Sequence, residues 1–176
     1  LEAVDAANMT LKAEVDDYKG DVLNVIPAQK AGTIASLAGL TNAKGWCPVD
    51  LKTFESTIHK NVHVIGDAAV QSPLPKSGYA ANSEAKVCAA AIVAMLNDME
   101  TPQPSYVNTC YSMITPTDGI SVAMVYRYNN GTKKIDKVKG SGGLTPGYDK
   151  STDESRRREV EYAHSWFKNI TADTFG

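Results

Sequence analysis

Val62-His-Val-Ile-Gly66-Asp67-Ala-Ala69 is the stretch on which the fold reading turns. A β-branched run ends in Gly-Asp, a loop with Pro73 and Pro75 follows, and a helix is predicted from about Gly78 to Asn97. The apolar positions Ala81, Ala85, Cys88, Ile92, Met95 and Leu96 keep helical spacing. Alanines at 80, 81, 85, 89, 90, 91 and 94 make this helix slim and fit it to pack closely on a sheet. Strand, sharp turn and helix in that order read as a piece of an α/β domain.

Working outward toward the N-terminus, Met9 to Val15 alternates in period two and is predicted as a strand. Asp16 to Gly20 supplies a turn, and Val22 to Ile26 is predicted as a second strand stopped by Pro27. A short helix is expected from about Gly32, with Ile34, Leu37, Ala38 and Leu40 on one face and Gly39 near its end. Toward the C-terminus, Pro102 and Pro104 mark a boundary. Ile120 to Tyr128 and Thr132 to Val138 flank Asn129-Asn-Gly131, a hairpin signal. Gly140 to Gly143 reads as a flexible linker. A last helix is predicted from about Thr152 to Ile170, with Ser151 and Glu154 as capping box and Val160, Ala163, Trp166 or Phe167, and Ile170 as apolar stripe.

Composition narrows the function classes. The 176 residues carry 18 basic and 20 acidic side chains, a formal net charge of −2, with 43% hydrophobic and 22% charged residues. That balance is globular and disfavours a nucleic-acid binder relying on overall positive charge. The longest uncharged apolar run, Val87 to Leu96, is far short of the about 20 residues a membrane span needs. The N-terminal segment has no initiator Met, basic n-region or apolar h-region, so the chain is expected to be a processed or truncated piece.

Gly140-Ser-Gly-Gly-Leu-Thr145 falls short of GxGxxG, because Thr145 stands for the third glycine and Pro146 follows where a helix should begin. His59 and His63 lie four apart, but a strand there would turn them away from each other, so no metal site is expected. The lysines at 133, 134, 137 and 139 and the arginines at 156 to 158 read as solvated faces. GxSxG, HExxH and P-loop patterns are absent. The three cysteines, Cys47, Cys88 and Cys110, form no CxxC, and an odd count leaves at least one without a partner in the chain.

Thr57 to Asp67 resembles the second flavin fingerprint of the two-dinucleotide-domain disulfide oxidoreductases. There, glycine lets the backbone approach the ligand and the carboxylate at the strand end accepts a ribityl hydroxyl. A helix starting at Ser77-Gly78-Tyr79 can turn its positive end toward the flavin ring. Taken with GWCPVD at 45–50, FESTIH at 54–59, PKSGY at 75–79, YVNTCYS at 106–112, GISVA at 119–123 and DTFG at 173–176, the chain resembles the C-terminal part of the flavoprotein subunit of flavocytochrome c sulfide dehydrogenase.

This resemblance implies an α/β FAD-domain remnant over residues 1–103, followed by a small α+β C-terminal interface domain over 104–176. It implies Cys110 as one of two redox cysteines, the other lying upstream. Gly66, Asp67, Lys76, Ser77, Gly78, Tyr79 and Trp166 are implied as flavin-side residues. Further implied are FAD in the full subunit, haem on a separate cytochrome c subunit, hydrosulfide as substrate, the N-terminal half of the same flavoprotein as partner, and a periplasmic location. The isolated piece is expected to be inactive. Two rival readings stand beside this one. The first is a sulfide:quinone oxidoreductase-like flavoenzyme, for which the C-terminal tail has little apolar length. The second is a non-catalytic cytochrome-docking module.

Overall fold

The computed structural model describes residues 1–176 as two compact units, Leu1–Lys30 and Ala31–Gly176. The first is a three-stranded antiparallel sheet of β1 (Ala3–Asp5), β2 (Thr10–Lys12) and β3 (Asp17–Lys19), in register through Val4, Leu11 and Tyr18. Asp5 turns the first hairpin by accepting the Asn8 amide at 3.1 Å. The strand predicted over Met9 to Val15 shrinks to three residues, because Met9 takes a positive φ of 50° that a strand does not tolerate. The strand predicted over Val22 to Ile26 does not form. Val22 and Ile26 are exposed, and with no neighbouring backbone to pair with, an apolar run has nothing to hold it extended.

In the second unit, α1 (Thr33–Leu37) is closed by Gly39 at φ 68°, which lets the Leu40 amide return to Ala35 O. It buries Ala35 and leaves Ile34 and Leu37 exposed, the reverse of the predicted face. The segment from Leu40 to Val70 is irregular. Isolated bridges hold it, Cys47 with Ala69, Val49 with Ser56 and Glu55 with His63. The strand predicted over Val62 to Ile65 is reduced to that last bridge. Ser56 donates to Val62 O and Val64 to Phe54 O, while the other edge of the run pairs with no strand. Gly66–Ala68 then forms a single 3-10 turn.

Helix α2 (Gly78–Leu96) begins where expected, capped by Ser77, whose hydroxyl accepts the Ala80 amide. Its buried face is Ala80, Glu84, Cys88, Ala91 and Ala94. The predicted face sat largely one position further along the chain, and Met95 and Leu96 are exposed. Alanines on every side leave the pattern too weakly amphipathic to fix which side turns inward.

Beyond Pro104 a four-stranded antiparallel sheet forms from β4 (Ser105–Thr115), β5 (Asp118–Asn129), β6 (Lys134–Lys137) and β7 (Gly143–Leu144), with β6 and β7 sharing one edge of β5. The long β4–β5 hairpin was not anticipated. The β5–β6 hairpin was, and Asn129 Oδ1 closes it by accepting the Gly131 and Thr132 amides. Gly140 to Gly143 is not a flexible linker. Gly142 sits where any side chain would strike Met124, and Gly143 pairs with Ala123.

Helix α3 (Asp153–Phe175) crosses this sheet. Its capping box is Thr152 with Ser155, not Ser151 with Glu154. Val160 and Ala163 are buried, Trp166 continues the stripe and Phe167 is exposed. The helix can lie this close because residue 119 is glycine: a Cβ there would stand 3.0 Å from the Val160 backbone nitrogen. Arg156 anchors the helix start to β5, donating from Nε to Asp118 at 2.5 Å with the Tyr148 ring 3.9 Å from its guanidinium carbon.

One core joins loops, α2 and the sheet. It contains Val49, Phe54, Leu74, Cys88, Tyr106, Tyr126, Tyr128 and Ile135. Phe54 meets Tyr106 edge to face at 5.9 Å, and the Tyr106 hydroxyl donates to Leu51 O at 2.6 Å. No helix is long and apolar enough to cross a membrane.

Candidate flavin and thiol site

Alternation along β4 places Tyr106, Asn108 and Cys110 on one face and Tyr111 on the other. Asn108 is buried and reaches the start of α2, where its Oδ1 accepts the Ser77 hydroxyl at 2.5 Å. Its Nδ2 donates to Cys110 Sγ at 3.4 Å. Two segments about thirty residues apart in sequence, PKSGY and YVNTCYS, therefore converge on one place. Cys110 is exposed, whereas Cys47 and Cys88 are buried, and burial pushes both of their thiols up. Of the three, Cys110 alone has the accessibility a nucleophilic sulfur needs.

The first turn of α2 leaves donors free. Ala80 donates to Ser77 Oγ and Ala81 to Ser77 O, while the Gly78 and Tyr79 amides have no partner in the chain. On the other side of this helix start, Tyr79 stacks on Trp166 with ring centroids 5.5 Å apart and planes 9° from parallel. Tyr111 adds a tilted contact to the same indole at 6.2 Å. Beside Trp166 opens an apolar recess of about 370 Å³ that Tyr111, Met113 and Phe167 help to line.

Gly66 serves the packing of α2. Its φ of 71° requires glycine, and a Cβ would meet the Ala81 Cβ at 3.3 Å, so the missing side chain admits α2. Its amide donates to Glu84 Oε2 at 2.6 Å. Asp67, next along the turn, is exposed, and its carboxylate forms no hydrogen bond or ion pair within the chain. Lys76 donates to the backbone carbonyls of Asp67 and Ala69 and lies 3.9 Å over the Trp46 ring. Burial pulls its amine below the ordinary lysine range, against the charges of Asp67, Glu84 and Cys47. Lys76 thus braces the turn from beneath.

Glu84 was not anticipated. It is fully buried, its Oε1 has no partner, and burial raises its carboxyl to about 7 despite the Gly66 amide and Lys76. The available signal was an acidic residue among the alanines of a helix otherwise suited to burial.

A carboxylate without a protein partner, two free amides at a helix N-terminus and an aromatic edge are a donor and acceptor set that fits a flavin. The carboxylate suits a ribityl hydroxyl, and the amides suit the electron-rich edge of the ring. Residues 102–175 match the family model described as flavocytochrome c sulphide dehydrogenase, flavin-binding. This match spans β4 to α3, including Cys110 and Trp166, while Gly66, Asp67 and the start of α2 lie before it.

Proposed function

We propose that this chain is part of a flavoprotein that oxidises hydrosulfide through a cysteine disulfide and FAD and passes the electrons to a cytochrome c subunit in the periplasm. The observation that carries the reading is the Ser77 to Asn108 hydrogen bond, which joins the flavin-side helix start to the cysteine strand of the matched domain. On this reading residues 1–103 complete the flavin domain and 104–176 form the interface domain. The N-terminal half of the flavoprotein brings the adenosine side of the cofactor site and the second cysteine. A redox disulfide persists in an oxidising compartment such as the periplasm.

In the chemistry proposed, hydrosulfide attacks the disulfide between Cys110 and the second cysteine. The S–S bond breaks, one sulfur becomes a persulfide and the other leaves as a thiolate holding the electron pair. FAD, when bound, supplies the acceptor for two electrons and their release one at a time to haem. Asp67 holds the ribityl chain, and the Gly78 and Tyr79 amides stabilise negative charge at the ring edge. Lys76 and Ser77 fix the turn and the helix start, and Tyr79 stacks on Trp166 beside the recess.

Replacing Cys110 by Ser in the complete flavoprotein tests the assignment. Sulfide-dependent bleaching of the flavin is expected to vanish while cytochrome binding is kept. Sulfide oxidation that persists in C110S overturns the cysteine mechanism and leaves the cytochrome-docking reading in its place.

A further inference from the structure

We propose that Glu84 and Lys76 clamp the Gly66–Ala69 turn from two sides, and that loss of the proton from Glu84 opens the clamp by drawing Lys76 off the turn. The purpose of the clamp, holding Asp67 toward a bound flavin, rests on the function proposed above, whereas the clamp itself concerns this chain alone.

Asp67 lies between backbone groups whose partners are side chains. The Gly66 amide donates to Glu84 Oε2 at 2.6 Å, and Lys76 Nζ donates to the carbonyl of Asp67 and, at 3.0 Å, to that of Ala69. Gly66, at φ 71°, is the hinge at which the chain enters the turn. Main-chain bonds anchor its far side, where the Cys47 amide donates to Ala68 O at 2.9 Å and the Val70 amide to Cys47 O at 2.8 Å. A carboxyl from α2 and an amine from the loop before α2 therefore fix how the turn presents Asp67.

Glu84 is 0% exposed and its Oε1 has no partner. As the neutral acid, it leaves one polar oxygen unpaired. As the carboxylate, it is a charge in a dry site answered by a single amide, which is far costlier unless a cation pairs with it. The proton goes to water, and the cation at hand is Lys76, whose charge favours the ionised form. By turning to Oε1, Lys76 gives up the two carbonyls. Asp67, on the turn, opposes ionisation by its own charge. From β4, Tyr106 faces Glu84 with a hydroxyl held above the ordinary phenol range by burial and by the Glu84 charge. Cys47 faces Lys76, its thiol pushed up by burial. Burial of Glu84 dominates and places its titration at about 7, so the clamp is closed below that pH and opens as pH rises through it. Lys76 carries its own reporter: Nζ stands 3.9 Å from the centroid of the Trp46 ring, and its departure alters the field at the indole.

Proton–nitrogen NMR spectra of the 176-residue chain, recorded from pH 5 to pH 9, test the inference without flavin or sulfide. The Gly66 amide and the Trp46 indole resonances are expected to shift together with one midpoint at about 7. Both shifts are expected to be lost in E84Q, which keeps an oxygen for Gly66 but has no proton to lose. In K76M the Gly66 amide still titrates, at higher pH because the favouring charge is gone, while Trp46 stays still. A role of Glu84 in packing alone would leave the two resonances without a shared midpoint. A Trp46 resonance that does not move in the parent, or that moves in E84Q or K76M, overturns the exchange of partners. If K76M does not fold, the isosteric E84Q decides. An unchanged flavin content and spectrum in D67N of the complete flavoprotein overturns instead the flavin contact on which the purpose of the clamp rests.

Discussion

A carboxyl buried with one oxygen unpaired is the most consequential single residue outside Cys110 and its neighbours. Glu84 titrates at about 7 in the folded chain against an ordinary 4.5, mainly because burial penalises its charge. Its folded value is raised, so the folded state binds the extra proton between these limits. The native state therefore loses stability as pH rises from about 4.5 to about 7, and no more above that. The whole effect is roughly 3 kcal/mol. Gln at 84 still offers an oxygen to the Gly66 amide and carries no charge. The stability difference between E84Q and the parent is thus expected to move in favour of E84Q between pH 5 and pH 8, read from urea unfolding at each pH. A difference constant with pH would show that Glu84 does not titrate in that range. Neither Glu84 nor Asn108 was legible as a special residue in the sequence, because each owes its role to groups brought to it from 18 and 31 residues away.

At the scale of elements, the C-terminal unit depends on how closely α3 approaches the β4–β5 hairpin. Adding a methyl at Gly119 forces it against Val160 N at 3.0 Å and the Glu159 Cβ at 3.2 Å, backbone and stem atoms that cannot swing aside. G119A is expected to cost about 1–3 kcal/mol, lowering the urea midpoint by more than T152A, which removes the helix cap and costs about 1 kcal/mol. Equal midpoints for G119A and the parent would mean that α3 does not press on β5 as described. The helices α2 and α3 and the Asn-Gly hairpin were legible because their signals are local: capping residues, periodicity and turn chemistry. The predicted strands at 22–26 and 62–65 failed for one reason. A strand is defined by the backbone that pairs with it, and β-branched composition alone does not supply that partner.

For the whole molecule, the chain carries the residues proposed for the ribityl and ring-edge contacts but has no glycine-rich phosphate loop at a helix start. The one near match, Gly140 to Thr145, is instead tied to β5. The chain alone is therefore expected to form no stoichiometric complex when titrated with FAD and followed by absorbance. A one-to-one yellow complex would show that the contacts described suffice without a pyrophosphate site. The comparison supports the flavin assignment over β4 to α3, and the structure extends the candidate site back to Gly66 by packing α2 onto that domain.

Sequence by itself determined the ends of α2 and α3 to within a few residues, the β5–β6 hairpin, the resemblance on which the flavin reading rests, and the candidates Cys110, Asp67 and Trp166. Tertiary structure alone decided which side of α2 turns inward, that Glu84 is buried there, that Gly66 serves helix packing, and that Ser77, Asn108 and Cys110 form one hydrogen-bonded line. Caps, turns and periodicity act over a few residues and are written locally. Burial and hydrogen bonds between distant segments depend on docking, and a slim alanine-rich helix can present more than one face until the sheet and the Gly-Asp turn select it.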